Sequence, residues 1–214
     1  MSDAKGKLEN VFWLGGSPCA GKSSISEIIA SRFGFDVYHV DEAFEVHAQR
    51  FDPIRHPTLA KWSASSWNQR WMQPLDRLVQ DVIACYQEHF TLILEDVFSL
   101  PNRPLLVEGT ALLPRQVTRV LSRESRAIWL IPTTDFQRAH YSERDWARRV
   151  VAQCSNPDLA FHNWMERDIR FAKWVKAEAS VLQLPLLSID RNRTIEENAE
   201  AVAGHFHLVV NQSR

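Results

Sequence analysis

The chain has 214 residues, 45% of them hydrophobic, with 25 basic against 26 acidic side chains and a formal net charge of -1. That length suits one generous domain with a substantial apolar interior, and the charge balance argues against a duplex nucleic-acid binder, which carries a basic excess. Three cysteines, Cys19, Cys85 and Cys154, lie far apart without a CxxC pair, which speaks against a disulfide framework or a zinc site.

Met1 to Asn10 is polar and charged, unlike a signal peptide or membrane anchor, and no apolar run approaches the ~20 residues of a spanning helix. The expectation is a protein of the reducing cytoplasm without membrane or nucleic-acid partners. Asn10 to Gly15 reads as a buried first strand, apolar on both faces as parallel strands tend to be. It runs into Gly16-Ser17-Pro18-Cys19-Ala20-Gly21-Lys22-Ser23, a full Gly, four residues, Gly-Lys-Ser pattern placed between strand and helix. Backbone N–H groups of such a loop form an anion nest, and the following helix points its N-terminus at the same anion. The phosphate-binding set is therefore Gly16, Ser17, Pro18, Cys19, Ala20, Gly21, Lys22, Ser23 and Ser24. Lys22 reaches the β/γ oxygens as a mobile charge, and the Ser23 hydroxyl is a natural Mg²⁺ ligand.

The helix after Lys22 carries Ile25, Ile28, Ile29 and Phe33, and Gly34 stops it. Val37 to Asp41 then reads as a second strand, completing the opening of a doubly wound α/β sheet. Asp41 would fall at its carboxyl end, able to accept a proton from an attacking hydroxyl or to bind Mg²⁺ through water; it can also be a helix N-cap. From Glu42 to Gln73, His47, Arg50, Arg55, His56, Lys61 and Arg70 interleave with Phe44, Phe51, Trp62, Trp67 and Trp71. This fits a substrate-binding flap, with rings to pack on a ligand and cations for an anionic group, and equally a packed helical cap. The eight tryptophans are read as core and groove packing.

Leu75, Leu78, Val79, Val82, Ile83 and Tyr86 predict a core helix beginning near Pro74, and His89 to Leu100 is read as helix despite a β-favouring Thr91-Leu92-Ile93-Leu94 run. Pro104 to Thr110 is the third strand. Its Glu108 can orient a Mg²⁺ hydration shell or grip a substrate hydroxyl, with Gly109 leaving space. A short helix follows Pro114, and Ala127 to Ile131 is the fourth strand. Thr134 to Val151 holds Arg138, Arg144, Arg148 and Arg149, with Arg144 and Arg148 on one helical face. Arginines on a closing lid neutralise charge that builds during phosphoryl transfer; an ordinary surface helix with Glu143 and Asp145 as partners is the other reading. Asn156-Pro157 opens a long helix on whose core stripe Asp168 falls near the lid arginines. Leu184 to Ile189 is the fifth strand, and Thr194 with Glu197 predicts a capping box for the last helix.

A P-loop after the first of five parallel strands, Asp41 after the second, Glu108-Gly109 after the third and an arginine lid after the fourth form a combined pattern. It resembles the P-loop kinases of the nucleoside monophosphate kinase-like group, which includes adenylate, shikimate and gluconate kinases and chloramphenicol phosphotransferase. The resemblance implies a three-layer α/β fold with strand order 2-3-1-4-5, a helical lid at about 134–156 and a flap at about 42–73 within a single domain over 1–214. It also implies ATP with Mg²⁺, a small-molecule acceptor between flap and lid, and a nucleotide base resting near Arg191-Asn192-Arg193. The expected catalytic set is Lys22, Asp41, Glu108, Arg144 and Arg148, with Ser23 on the metal, in a monomer or homodimer. Glu108-Gly109-Thr110 with His56-Pro57 also looks like the zeta-toxin type of kinase, which acts on an amino-sugar nucleotide. The glycine and arginine patterns that clamp a monophosphate are not recognisable in Glu42 to Gln73. A nucleotide-binding regulatory module is the alternative from a different class.

Overall fold

The computed structural model describes residues 6–142 and 145–209. Strand β1 (Val11–Gly16) is buried along its whole length. Its side chains alternate, Val11 and Trp13 entering one apolar layer and Phe12 and Leu14 the other, as the two-residue period of a strand requires. With β2 (Asp36–His39), β3 (Leu105–Glu108), β4 (Ala127–Pro132) and β5 (Leu186–Ile189) it builds a five-stranded sheet in the order β2-β3-β1-β4-β5. Every pairing is parallel, so the crossovers must place helices over both faces.

Those helices are, in chain order, α1 (Lys22–Phe33), α2 (Val40–Ala48), α3 (Pro57–Ala64), α4 (Trp67–Trp71), α5 (Leu75–Ser99), α6 (Pro114–Thr118), α7 (Thr134–Ser142), α8 (Asp145–Val151), α9 (Pro157–Val181) and α10 (Ile195–His205). Helices α1 and α10 cover one face, where Ile25, Ile29, Val202 and Phe206 join Phe12 and Leu14. Helices α5 and α9 cover the other, where Phe90, Ile93, Phe171 and Val175 pack with Trp13 and Trp129. None of the described helices is long and apolar enough to cross a membrane.

The local signals act as their chemistry demands. Gly34 ends α1 in the left-handed conformation, its N–H donating to the Ala30 carbonyl. Thr194 and Glu197 form the reciprocal capping box of α10. The stretch from His89 belongs to the same uninterrupted helix as Leu75, because Phe90, Ile93 and Val97 continue the buried stripe begun by Leu78 and Cys85.

Two boundaries differ from the sequence reading. Strand β2 ends at His39, and the fully buried Val40 opens α2, so Asp41 lies in the first turn of a helix rather than at a strand end. Asp41 and Glu42 there face the positive end of the helix dipole, which favours carboxylates. The stretch from Glu42 to Gln73 carries three helices, with a loop over 49–56, and it is not separate from the lid. Trp71 stacks on Trp164 of α9 at 4.3 Å, and both share an apolar cluster with Tyr141, Ala147 and Val151 of the lid helices and Cys19 of the P-loop. This third cluster roofs the carboxyl edge of the sheet.

Candidate active site

Three features of the local backbone create a phosphate-sized cradle after β1. Gly16 sits at φ 129°, and a Cβ there would lie 2.1 Å from the Leu130 carbonyl oxygen, so only glycine lets β1 leave the sheet at this point. Gly21 precedes α1 in the left-handed conformation, and no side chain caps that helix. The first-turn N–H groups of α1 are therefore free of a side-chain acceptor and face the loop mouth. Lys22 is buried within this loop, its Nζ donating to the Ser17 carbonyl at 3.0 Å and to Thr110 Oγ1 at 3.3 Å.

Parallel register brings Glu108 to the same place, because it pairs with Leu14 on one side and His39 on the other. Its Oε1 accepts from Ser23 Oγ at 3.0 Å and lies 2.7 Å from His39 Nδ1. Its Oε2 is buried and has no partner among the described residues. A buried carboxylate oxygen left unpaired beside a P-loop hydroxyl matches the oxygen donors that hydrated Mg²⁺ takes. The residues thus fit a Mg²⁺-bound triphosphate, with Ser23 and Glu108 as the metal side and Lys22 and the loop amides as the phosphate side. Among the described residues no cluster of three or more His, Cys, Asp or Glu side chains forms a metal cage of its own. Gly109 lets the chain pass Val40, whose Cβ would be 2.5 Å from a Cβ at that position. Thr110 then donates from its N–H to Asp41 Oδ1 at 3.3 Å and from Oγ1 to Asp41 Oδ2 at 3.4 Å.

Asp41 is exposed and lines two adjoining cavities. One, of about 540 Å³, is floored by the P-loop from Pro18 to Ser24 together with Thr110. The other, of about 370 Å³, is walled by Phe44, Trp62, Trp67, Trp71, Trp146 and Trp164. Tyr86, Trp146, Trp164 and Arg167 also border both. Five of the eight tryptophans therefore line one cavity, while Trp13 and Trp129 sit in the sheet core.

The arginines divide differently from the sequence reading. Arg148 is exposed, its guanidinium 4.4 Å over the Phe161 ring, and it lines neither cavity. Arg138 pairs with Glu166 at 2.7 Å. Arg144 and its neighbour Glu143 lie outside the described residues. Among the described residues, the cation that borders both cavities is Arg167 of α9, which carries no motif signal. Arg167 is paired to Asp168 at 2.5 Å and lies 4.6 Å from the centre of the Trp71 ring. Burial acts against its charge, but the Asp168 carboxylate and the Tyr86 and Tyr141 hydroxyls leave it raised above the ordinary arginine value. Tyr141 in turn donates to Asp168 Oδ2, and burial followed by that carboxylate pushes its own phenol well up. Asp168, placed near the lid by helical spacing, thus holds an arginine from its own helix. Only its position beside Arg167 in sequence could have suggested this.

No family model and no curated protein matches the chain. Among solved structures it is similar to shikimate kinase from Bacteroides thetaiotaomicron, at 13% identity over 92% of this chain and 98% of that chain, with a TM-score of 0.44. At that identity and TM-score the likeness says nothing about substrate or activity.

Proposed function

We propose that the protein is a phosphotransferase that uses ATP with Mg²⁺ and transfers the γ-phosphoryl group to a hydroxyl of a small molecule. One observation carries this reading: Asp41 lines both the P-loop cradle and the adjoining aromatic cavity. A nucleotide switch needs the first compartment but has no use for the second. Bound Mg-ATP supplies the electrophilic phosphorus and the leaving diphosphate.

The chain's own groups supply the rest. The loop amides and Lys22 hold phosphate oxygens, and Ser23 with Glu108 holds the metal side. Asp41 accepts the proton of the acceptor hydroxyl at a carboxylate oxygen, and the Thr110 N–H and hydroxyl orient that carboxylate. Arg167 brings a fixed positive charge to the junction, braced by Asp168 and Trp71, so little reorganisation is needed as negative charge develops. The apolar cluster of α4, α8 and α9 covers part of the site and limits the water that reaches it.

The test is ADP release from Mg-ATP across a panel of hydroxylated acceptors. Lys22→Ala is expected to lower acceptor-stimulated turnover about 100-fold or more. Asp41→Asn is expected to lower kcat by a comparable factor with ATP affinity nearly unchanged, since the hydrogen bonds of Asp41 go to Thr110 and not to the phosphate loop. Full turnover in either variant, or an equal loss of ATP affinity in Asp41→Asn, would remove the assigned role.

A further inference from the structure

Among the described residues, Asp41, Tyr86, Trp146, Trp164 and Arg167 border both cavities. Asp41 and Arg167 already have parts in the phosphate chemistry, and the two indoles pack edge to face at 5.5 Å. Tyr86 of α5 is the remaining polar group. It is half-buried, and its hydroxyl has no hydrogen-bond partner among the described residues.

Packing accounts for the ring of Tyr86 but not for its hydroxyl. Leu78, Val82, Cys85, Tyr86 and His89 recur at three- and four-residue spacing, so one face of α5 is turned to the aromatic cavity. On that face the Tyr86 ring meets Phe171 edge to face at 5.4 Å, a contact that phenylalanine would make as well. A phenol taken out of water normally gives its O–H a partner. Here the nearby carboxylates are already engaged: Asp41 by the Thr110 N–H and hydroxyl, Asp168 by Arg167 and Tyr141. Burial, opposed by the Arg167 charge and reinforced by Asp41 and Asp168, pushes the phenol above its ordinary value. The group therefore keeps its proton and stands ready to donate it in a hydrogen bond.

In a turnover, the ligand group that crosses from the phosphate cavity to the aromatic one is the phosphoryl group in transit. Its equatorial oxygens carry the charge of the transition state and accept hydrogen bonds strongly. Arg167 meets that charge while paired to Asp168. A neutral donor beside it adds a hydrogen bond without a second charge to desolvate.

We infer that Tyr86 is a catalytic residue whose O–H donates to an equatorial oxygen of the phosphoryl group as it passes from ATP to the acceptor. This role deepens the phosphotransferase reading and rests on it. In the step, the bond from the γ-phosphorus to the bridging oxygen breaks, and its electron pair stays on ADP. A bond from the acceptor oxygen to the same phosphorus forms, and the acceptor proton moves to Asp41. Tyr86 keeps its own proton throughout. Its hydrogen bond is made to the group between the cavities and not to bound ATP, so it stabilises the transition state in preference to the ground state.

The test titrates the full chain with Mg-ADP, alone and with aluminium fluoride, an anion that takes the place of the phosphoryl group in transit. Tryptophan fluorescence reads the binding, since Trp146 and Trp164 border both cavities. In the wild type, aluminium fluoride is expected to tighten Mg-ADP binding about tenfold or more. Tyr86→Phe keeps the ring against Phe171. It is expected to bind Mg-ADP within about twofold of the wild type and to lose about tenfold of the gain from aluminium fluoride. Where that variant does not fold, Tyr86→3-fluorotyrosine keeps the hydroxyl. Its fluorine resonance is expected to move with aluminium fluoride beyond any movement with Mg-ADP alone. A gain that Tyr86→Phe retains in full, an equal loss for Mg-ADP with and without aluminium fluoride, or an unmoved resonance overturns the role of Tyr86 and leaves the phosphotransferase reading standing. A wild type that gains nothing from aluminium fluoride overturns both.

Discussion

His89 and Glu108 are buried for opposite reasons. Glu108 keeps one oxygen bare beside the Ser23 hydroxyl, where a cation can use it. His89 keeps a neutral ring in a cluster with His47, His56 and Asp96. Burial, and then the neighbouring His47, push its pKa down to about 3, from the ordinary histidine value of about 6.5. The unfolded chain therefore takes up a proton that the folded chain refuses, so stability is fully present above about pH 6.5 and is lost as pH falls toward 3. By pH 5 the expected loss is about 2 kcal/mol, measurable as a lower urea midpoint than at pH 7.5. His89→Phe should flatten that dependence. Lys22 and Ser23 were legible from sequence because the P-loop is a local pattern with a fixed mechanical context. Arg167, His89 and Trp71 were not, because each acquires its meaning from distant partners: His89 meets a residue 42 positions away, and Arg167 meets Trp71 across the roof.

Helices and strands were largely legible where their signals are short-range. The Gly34 stop of α1, the Asn156-Pro157 start of α9 and the Thr194 box of α10 all act within a few residues of themselves. Thr194→Ala removes an exposed cap whose side chain accepts from the Glu197 N–H at 3.2 Å. It should cost about 1 kcal/mol, read as a modest drop in the thermal midpoint with ADP release unchanged. The end of β2 differs from the sequence reading because Val37, Tyr38 and Val40 all favour strands, so the pattern runs on past His39. Helix α2 starts at Val40 since that side chain fills space beside Gly109, a contact between elements that periodicity does not report. The stretch from Glu42 to Gln73 admits both a flap and a packed cap in sequence; its three helices bury Leu59 and Trp71, and Phe44, Trp62 and Trp67 line the cavity.

Across the whole molecule, stability and site geometry depend on the same packing. Phe171 of α9 is 1% exposed and joins Trp13, Trp129 and Phe90, with its ring 5.4 Å from that of Tyr86, a residue bordering both cavities. Phe171→Ala should cost about 3–5 kcal/mol, lowering the thermal midpoint by about 10 °C, and it should raise KM for the acceptor by loosening the wall that carries Tyr86. A lowered midpoint with an unchanged KM would show that the sheet core and the cavity wall relax independently. By itself the sequence determined the α/β alternation of strands and helices, the Gly-Lys-Ser loop after β1 and the acid at the end of β3, because strand periodicity, glycine geometry and helix caps are local properties of the chain; the strand order came only with the resemblance that the combined pattern carries. Only the tertiary structure decided that Arg167 borders both cavities, how the helices between Val40 and Trp71 share one aromatic roof with α7, α8 and α9, and that His89 Nδ1 and Trp71 Nε1 are buried without a partner among the described residues. Those outcomes follow from the packing of α4, α5 and α9 against one another, and side-chain burial of that kind is settled by which distant elements meet.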